Sequence, residues 1–219
     1  MASRTGLLPP ELHAYINAHS TGPDPLLLEL ATETAERFAR SAGMQIGPDQ
    51  GMLMTLLARL SGARDAVEVG TFTGYSSICL ARGLAPDGHL LCCDISDEWT
   101  TLARRYWDRA GLSDRIELKL APALETLRAL PADTAFDLAF IDADKPSYVD
   151  YWDALVPRVR PGGLLLVDNT LWAGQVTDPS AQGEALDAIR SFDDHAAADT
   201  RVELVIVPIG DGLTVARKK

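Results

Sequence analysis

Lysine and long apolar runs are both scarce in this sequence. It has four lysines among its 20 basic residues, against 31 aspartates and glutamates, and its net charge is −11. A chain this acidic repels nucleic-acid phosphates and anionic lipid headgroups, so we expect neither nucleic acid nor a membrane as a partner. No run approaches the roughly 20 apolar residues of a membrane-spanning helix. Prolines interrupt the apolar pairs of the first 18 residues, unlike in a signal peptide, and the expected location is the cytoplasm.

Cysteine and histidine are also few, and their spacing fits neither a zinc site nor a disulfide framework. The three cysteines, Cys79, Cys92 and Cys93, fall inside predicted helix or strand and lack metal-ligand spacing. We expect them to be buried, reduced thiols. The four histidines are scattered along the chain, and we expect surface or structural roles for them.

The composition fits one α/β domain. Hydrophobic residues make up 47% of the 219 residues and charged residues 23%, as in a soluble globular protein. We expect residues 1–62 to form an N-terminal helical extension of the same domain as residues 63–219. Helices are predicted over 25–40 and 48–60. The second has an apolar face that we expect to pack outside the sheet, over its edge or against another subunit, formed by Met52, Leu53, Leu56, Leu57 and Leu60.

Strand and helix patterns alternate from residue 66 onward, which is typical of a mainly parallel sheet with helices on both faces. Strands are predicted at 66–70, 89–95, 115–120, 136–142, 163–168, 202–209 and 213–217. Helices are predicted over 75–84, 99–110 and 148–159, the last stopped by Pro161-Gly162-Gly163. Gly210-Asp211-Gly212 joins the last two strands as a hairpin, so one of them runs antiparallel. The predicted fold is a doubly wound, Rossmann-like, seven-stranded sheet, mostly parallel with one antiparallel strand.

Two glycines follow the first predicted strand, in the segment VEVGTFTG. Gly70 and Gly74 allow the backbone to turn tightly into the helix that begins at Tyr75. Such a turn leaves backbone N–H groups and the positive end of the helix dipole facing outward, where a carboxylate or phosphate can bind. The pattern by itself also fits a tight connection without a ligand.

Three predicted strands end in an acidic residue, at the edge of an open parallel sheet where ligands bind. Asp94 ends the second strand, 20 residues after Gly74. An acidic side chain at this place can accept hydrogen bonds from both hydroxyls of a ribose. An N-cap or loop role is the alternative for Asp94.

The other two acidic strand ends are expected at the same rim of the sheet. Asp142 ends one strand, and Asp168 with Asn169 ends the next along the chain. Two carboxylates and an amide oxygen suit a hard divalent cation such as Mg²⁺ better than zinc, which prefers nitrogen and sulfur ligands. Capping or turn roles are the alternative, since aspartate and asparagine are common after strands.

Lys145 lies three residues after Asp142 and is one of two lysines outside the C-terminal end. Near a dication its ammonium form is disfavoured, which suits a lysine that acts as a base. It could equally begin the next helix as a solvated charge. Trp172, in the loop past Asn169, is a candidate wall for a flat substrate, although most aromatic residues belong to the core.

These motifs together resemble a known family. The segments VEVGTFTGYSS, FIDADK and LLLVDNTLW, with Asp94 between the first two, are similar to the metal-dependent class I S-adenosylmethionine O-methyltransferases, the catechol and caffeoyl-CoA group. The likeness covers almost the whole chain, including MQIGPDQG before the first strand. It implies a Mg²⁺-dependent enzyme that transfers a methyl group from S-adenosylmethionine to a hydroxyl of a small catechol-type acceptor and releases S-adenosylhomocysteine.

The resemblance implies roles for residues at matching positions. Cofactor binding is implied for Glu68, Gly70, Thr71 and Ser76 at the methionine part, for Asp94 at the ribose, and for Ile46, Ala123 and Asp144 around them. Metal binding is implied for Asp142, Asp168 and Asn169, catalysis for Lys145 and Asp142, and substrate binding for Lys145, Asn169 and Trp172.

The N-terminal part departs from the plant members that use coenzyme A thioesters. Their substrate-contacting lysine has no counterpart, since no lysine precedes Lys119. We therefore expect a small vicinal hydroxy-aromatic acceptor, selected by residues 1–47 and 171–182. The resemblance also implies a homodimer with the N-terminal helices at its interface.

A nicotinamide oxidoreductase is an alternative function, although Gly70 and Gly74 do not make its G-x-G-x-x-G spacing. A non-catalytic regulator that binds the cofactor is another.

Overall fold

Seven strands form one sheet in the computed structural model, which describes residues 7–219. The strands are β1 (Asp65–Val69), β2 (His89–Asp94), β3 (Ile116–Leu120), β4 (Phe136–Ile141), β5 (Val159–Val167), β6 (Val202–Val207) and β7 (Leu213–Lys218). Their order is β3-β2-β1-β4-β5-β7-β6. The first five strands pair in parallel, whereas β7 pairs antiparallel with both β5 and β6. The predicted sheet, mostly parallel with one antiparallel strand, is confirmed.

Helices cover both faces of the sheet. They are α1 (Pro10–Ala18), α2 (Pro25–Arg37), α3 (Pro48–Ser61), α4 (Tyr75–Gly83), α5 (Asp97–Arg109), α6 (Ala123–Ala129), α7 (Tyr148–Leu155) and α8 (Glu184–Ala198). Alternate strand residues enter two separate cores, because side chains on a strand point to opposite faces. On β4, Phe140 packs in the core with α2 to α5, and Ile141 packs in the core with α6 to α8. None of the helices described is long and apolar enough to cross a membrane.

The three cysteines are free and buried, as predicted. Burial raises the pKa of the Cys79 and Cys93 thiols to about 12. These thiols are therefore neutral near pH 7 and act as small packing residues.

The face of α3 that we expected to pack outside the sheet, over its edge or against another subunit is partly exposed in the single chain. Leu56 and Leu60 on that face are 45% and 83% exposed, whereas Leu53 and Leu57 pack against the core. The fully buried positions lie on the side of α3 that includes the contact with α4, namely Gln50, Gly51, Met54, Thr55 and Ala58. A Cβ on Gly51 would lie 2.8 Å from Sγ of Cys79, and the hydroxyl of Thr55 donates to the Cys79 carbonyl at 2.8 Å. The two helices approach closely at Gly51, Thr55 and Ala58, so small side chains are needed at these contact positions.

The predicted boundary between α7 and β5 is also wrong. The helix ends at Leu155, and β5 begins at Val159 and includes Pro161-Gly162-Gly163. The register of β5 against β4 shifts in this part of the strand, and such irregularities accept proline and glycine. The other predicted strand ends lie within two residues of the observed ends.

Candidate active site

A cavity of about 810 Å³ lies at the carboxyl ends of β1, β2, β4 and β5. Most of the predicted site residues line it, namely Ile46, Gly70, Thr71, Ser76, Asp94, Ala123, Asp142, Asp144, Lys145, Asn169 and Trp172. Glu68 and Asp168 are fully buried and lie behind this lining. The fold therefore brings residues from distant parts of the chain to one cavity, as expected for the rim of a parallel sheet.

The turn after β1 needs glycine at both predicted positions. Gly70 and Gly74 each have a φ of +89°, where a side chain is disfavoured. A Cβ on Gly70 would lie 2.0 Å from the carbonyl oxygen of Asp142, and one on Gly74 would lie 2.8 Å from Cβ of Ala103. Gly70 thus lets the turn approach the end of β4, and Gly74 lets α4 begin against α5.

Asp94 ties this turn to the end of β2. Its Oδ2 accepts hydrogen bonds from the backbone N–H groups of Thr71 and Phe72, both at 2.9 Å, and its Oδ1 accepts one from Ser96 at 2.8 Å. Two N–H groups that we predicted to be free for a ligand are therefore occupied by Asp94. The alternative N-cap role for Asp94 is wrong, because the hydroxyl of Ser96 accepts from Trp99 and caps α5.

Glu68 is a buried acid on β1 beneath the turn. Its side chain is fully buried, and burial raises its pKa to about 8. Oε2 accepts a hydrogen bond from Sγ of Cys92 at 3.3 Å, and the hydroxyls of Ser76 and Thr71 also act on this carboxyl and lower its pKa against the effect of burial. Oε1 is buried and makes no hydrogen bond of standard geometry with the described residues. A positively charged group placed beside Oε1 would favour the ionised carboxylate and satisfy this oxygen.

The rim residues of β4 and β5 are held by backbone hydrogen bonds that continue the sheet. The N–H of Asp142 donates to Val69 at 2.8 Å, and that of Asp168 donates to Ile141 at 3.0 Å. Oδ1 of Asp168 accepts the N–H of Asn169, whose φ of +64° turns the chain sharply. The strand ends of β4 and β5 are paired neighbours in the sheet.

The donor set at this rim contains only hard oxygen atoms, from two carboxylates and one amide. No group of three or more histidine, cysteine, aspartate or glutamate side chains is placed to hold a metal ion in residues 7–219. A cation at this rim would therefore need an oxygen from another residue type, and the amide of Asn169, which is 4% exposed and lines the cavity with Asp142, offers one. This composition fits Mg²⁺ or a similar cation, which also keeps water ligands, and does not fit a structural zinc site.

Lys145 points inward, so the alternative of a solvated charge is wrong. Its side chain is 13% exposed, and Nζ donates to Oδ1 of Asp142 at 3.0 Å, to the carbonyl of Ala143 at 2.9 Å and to the hydroxyl of Tyr148 at 2.7 Å. Lys145 begins the short 3₁₀ turn Lys145–Ser147 that leads into α7. The turn fixes the ammonium group beside the rim carboxylate.

The cavity has further walls that the sequence analysis did not single out as site residues. They include Met44, Phe72, Trp99, Tyr151 and Asp211. Trp99 and Phe72 pack edge to face with ring centroids 5.1 Å apart, and the Tyr151 hydroxyl donates to Asp144 at 2.6 Å. One feature of the sequence could have identified Asp211 as a cavity residue, because it is an acidic residue between two glycines at a connection between strands. Trp99 and Tyr151 had none, since their helical spacing is the same as that of core residues. Phe72 lies in the turn after β1, between the two glycines.

Comparison with known proteins identifies the family. Residues 17–219 match the family model described as O-methyltransferase. Catechol O-methyltransferase domain-containing protein 1 of Mus musculus is 36% identical over 218 residues, which cover 97% of this chain and 82% of that protein. Probable caffeoyl-CoA O-methyltransferase 2 of Dictyostelium discoideum is 36% identical over 208 residues, covering 93% of this chain and 90% of that protein.

Comparison with solved structures gives the same family. The O-methyltransferase TomG from Streptomyces achromogenes, in complex with S-adenosylmethionine, has a TM-score of 0.86 at 31% identity and covers 95% of this chain and 96% of its own. An O-methyltransferase from Bacillus cereus, in complex with S-adenosylhomocysteine, has a TM-score of 0.86 at 31% identity and covers 95% and 97%. The chain belongs to the O-methyltransferase family. The predicted enzyme class, an S-adenosylmethionine-dependent O-methyltransferase, is confirmed, and the nicotinamide alternative is wrong.

Proposed function

We propose that this enzyme transfers the methyl group of S-adenosylmethionine to a hydroxyl of a small catechol, with the help of a divalent cation such as Mg²⁺. The observation that supports this most directly is the cavity itself. It is lined by the glycine turn and Asp94 at one part, and by Asp142, Lys145 and Asn169 at another. The names of the mouse and Dictyostelium relatives, catechol and caffeoyl-CoA O-methyltransferases, support an acceptor with adjacent aromatic oxygens.

The cofactor would lie along the turn after β1, where the glycines and Asp94 line the cavity. Two solved relatives are complexes with S-adenosylmethionine and S-adenosylhomocysteine, which supports binding of this cofactor. In this proposal its ammonium group pairs with the buried Glu68, whose Oε1 makes no hydrogen bond of standard geometry with the described residues. Asp94 binds the ribose with the lone pairs that its three backbone hydrogen bonds leave available. Ile46, Ala123 and Asp144 complete this part of the cavity.

The divalent cation would be held by Asp142, Asp168 and Asn169. When bound, it would orient the two adjacent oxygens of a catechol and favour the phenolate form of one of them. Trp172 lines the same cavity and would pack against the flat ring.

Lys145 would hold the proton of the reacting hydroxyl. In its neutral form, Nζ takes the proton, and the ammonium that results is held by Asp142, the Ala143 carbonyl and Tyr148. The phenolate oxygen then forms a bond to the methyl carbon as the carbon–sulfur bond breaks. Phenolate and sulfonium charges disappear together, so the protein's contribution is to position the two groups and to exclude water.

The test is methylation of a catechol panel with labelled S-adenosylmethionine, with and without EDTA, with products read by mass spectrometry. We expect activity that EDTA removes and Mg²⁺ restores. Full activity in EDTA would refute the role of the cation. Asp168→Ala is expected to abolish turnover while calorimetry still detects cofactor binding. Equal loss of cofactor binding would show that Asp168 belongs to the cofactor site.

We also propose a homodimer whose interface includes the N-terminal helices, with residues 1–62 and 63–219 as parts of one domain. Several large apolar residues are exposed on these helices, namely Leu12, Tyr15, Leu28, Leu56 and Leu60. Burial of such residues between two subunits is favourable by roughly 25 cal/mol per Å² of apolar surface. Light scattering of the wild-type protein and of Leu60→Glu tests this, since only the variant should be monomeric. The cytoplasmic location stays a prediction.

A further inference from the structure

The loop between β5 and α8, residues 168–183, has an unusual backbone conformation beside the cavity. Trp172 and Ala173 have φ values of +44° and +52°, and Gly174 follows with +83°. Left-handed conformations are unfavourable for residues other than glycine, so this part of the loop keeps its shape because neighbouring groups hold it. The shape affects the site directly, since Trp172 lines the cavity.

On one side of Trp172, the loop is bonded to the connection between β6 and β7. The N–H of Leu171 donates to the carbonyl of Asp211 at 3.0 Å, and Oδ1 of Asp211 accepts the N–H of Ala173. On the other side, residues 178–183 lie in no helix or strand. This second part of the loop therefore needs an anchor of another kind.

Arg190, on α8, supplies that anchor. Its side chain is 29% exposed, and a guanidinium carries five N–H donors. These donors face five acceptors, and four of the acceptors are backbone carbonyls of the loop. Nε donates to Val176 at 3.2 Å, Nη1 to Ala181 at 3.1 Å and to Oδ1 of Asp187 at 3.4 Å, and Nη2 to Gln175 at 3.1 Å and to Asp178 at 2.5 Å.

Both ends of this anchor are fixed in the core. Ile189 and Phe192, on either side of Arg190 along α8, are buried, and the side chain of Val176 packs against the same core. A guanidinium holds its donors in a rigid plane, whereas lysine carries three donors on a single atom. Lysine therefore cannot bond all of these carbonyls at once, although it keeps the positive charge.

We infer that Arg190 is a positioning residue for the methyl acceptor, because its bonds to the loop carbonyls keep Trp172 in the cavity wall. This inference rests on the proposed function, which places Trp172 against the ring of the acceptor. The cofactor part of the cavity is lined by other segments, including the glycine turn, Asp94 and Ala123. Loss of the anchor should therefore impair use of the acceptor and leave cofactor binding unchanged.

Arg190→Lys tests this. We expect the KM of the catechol to rise at least about fivefold and kcat/KM to fall about tenfold or more, because the acceptor is less well oriented. The Kd of S-adenosylhomocysteine, measured by calorimetry, should stay at the wild-type value. Arg217→Lys is the matched control and should match wild type throughout. Arg217 is exposed, pairs with Glu203 at 3.7 Å and lies opposite Leu164, away from the rim.

Hydrogen exchange tests the anchor without any substrate. The N–H of Asp178 donates to the carbonyl of Gln175 at 3.0 Å, and that of Ala181 donates to the carbonyl of Asp178 at 3.2 Å. Both carbonyls also accept from Arg190. We expect these amides to exchange at least about tenfold faster in Arg190→Lys than in wild type, with α8 unchanged. Equal rates in the two proteins, or no protection in wild type, would overturn the inference.

A double-mutant cycle with Trp172→Ala shows whether Arg190 acts through Trp172. In the Trp172→Ala background, Arg190→Lys should cause little further loss of kcat/KM, because the side chain that it positions is already gone. The same fold-loss in both backgrounds would overturn the inference. So would an equal weakening of S-adenosylhomocysteine binding, because the effect would then not be specific to the acceptor.

Circular dichroism is expected to show that Arg190→Lys is folded, because the core contacts of α8 come from residues such as Ile189 and Phe192. An unfolded variant would make Arg190 a residue of the fold and overturn the inference. Failure of the wild-type enzyme to methylate any catechol would refute the proposed function, and the role in acceptor positioning would fall with it. The exchange rates report on the anchor in either case, so the two failures are distinguishable.

Discussion

Replacing Gly70 by alanine should damage the fold and the cofactor site together. A Cβ at this position would lie 2.0 Å from the carbonyl oxygen and 2.7 Å from the carbonyl carbon of Asp142. These are backbone atoms. The N–H of Asp142 donates a hydrogen bond to the carbonyl of Val69 at 2.8 Å, so the end of β4 is held in place and cannot move away from the added Cβ. The turn after β1 must move instead, and Thr71 moves with it.

The expected loss of stability has two parts. A non-glycine residue at a φ of +89° costs about 1–2 kcal/mol, and overpacking a close-packed contact costs about 1–3 kcal/mol more. The sum, about 2–5 kcal/mol, is a large share of the roughly 5–15 kcal/mol that stabilise a typical domain. For a chain of this length it corresponds to a melting temperature roughly 4–20 °C lower.

Gly111→Ala is the matched control. Its φ is +67°, and a Cβ there would meet no atom of the described chain within 4 Å apart from its chain neighbours, so only the conformational cost applies. Urea denaturation gives the free energy of unfolding of both variants, and calorimetry gives the Kd of S-adenosylmethionine. We expect Gly70→Ala to be the less stable by about 1–3 kcal/mol and to bind the cofactor at least about tenfold more weakly. Equal stability of the two variants would refute the steric argument.

Three further predictions concern single polar side chains. Asp94→Ala should lower the free energy of unfolding by about 2–4 kcal/mol, because three backbone N–H groups lose their acceptor. Asp94→Asn should lower it less, and equal free energies of unfolding for the two variants in urea denaturation would contradict this. Lys145→Met should lower kcat at least about 100-fold in a variant that circular dichroism shows to be folded, and an active variant would exclude Lys145 as the base. Burial raises the pKa of Asp193 to about 7 from its usual 3.8, so its contribution to stability is fully present below pH 4 and is lost as pH rises through 7. Asp193→Asn should therefore be about 1–2 kcal/mol more stable than wild type at pH 8 but not at pH 4, and denaturation at the two pH values checks this.

Much of the cavity lining could be predicted from the sequence because parallel strands deliver their carboxyl ends to one rim. The acids at the ends of apolar runs, Asp94 and Asp142, needed no knowledge of the sheet order to be placed together, and Asn169 followed from the same reasoning. The glycine spacing identified Gly70, whose positive φ and close contact with Asp142 are now visible.

Other features depend on contacts that local patterns do not encode. The partners of Asp94 are N–H groups of the turn, since β1 and β2 are neighbours in the sheet. Asp211 reaches the cavity because β7 pairs with β5, which brings the turn before β7 against the loop at Ala173. Lys145 turns inward because Asp142 and Tyr148 accept from its ammonium group.

The sequence by itself determined where the strands lie along the chain and which residue types follow them. Glycines follow the first apolar run, and an acid ends each of three others. Together these features predict a nucleoside-type site at the rim of the sheet. The tertiary structure decided which face of α3 is buried, how the β5 loop is held and which carboxylates share the cavity. The physical reason is that helix and strand periodicity reports the apolarity of each residue, whereas close packing and hydrogen bonding depend on the shape and polar groups of segments far away in the chain.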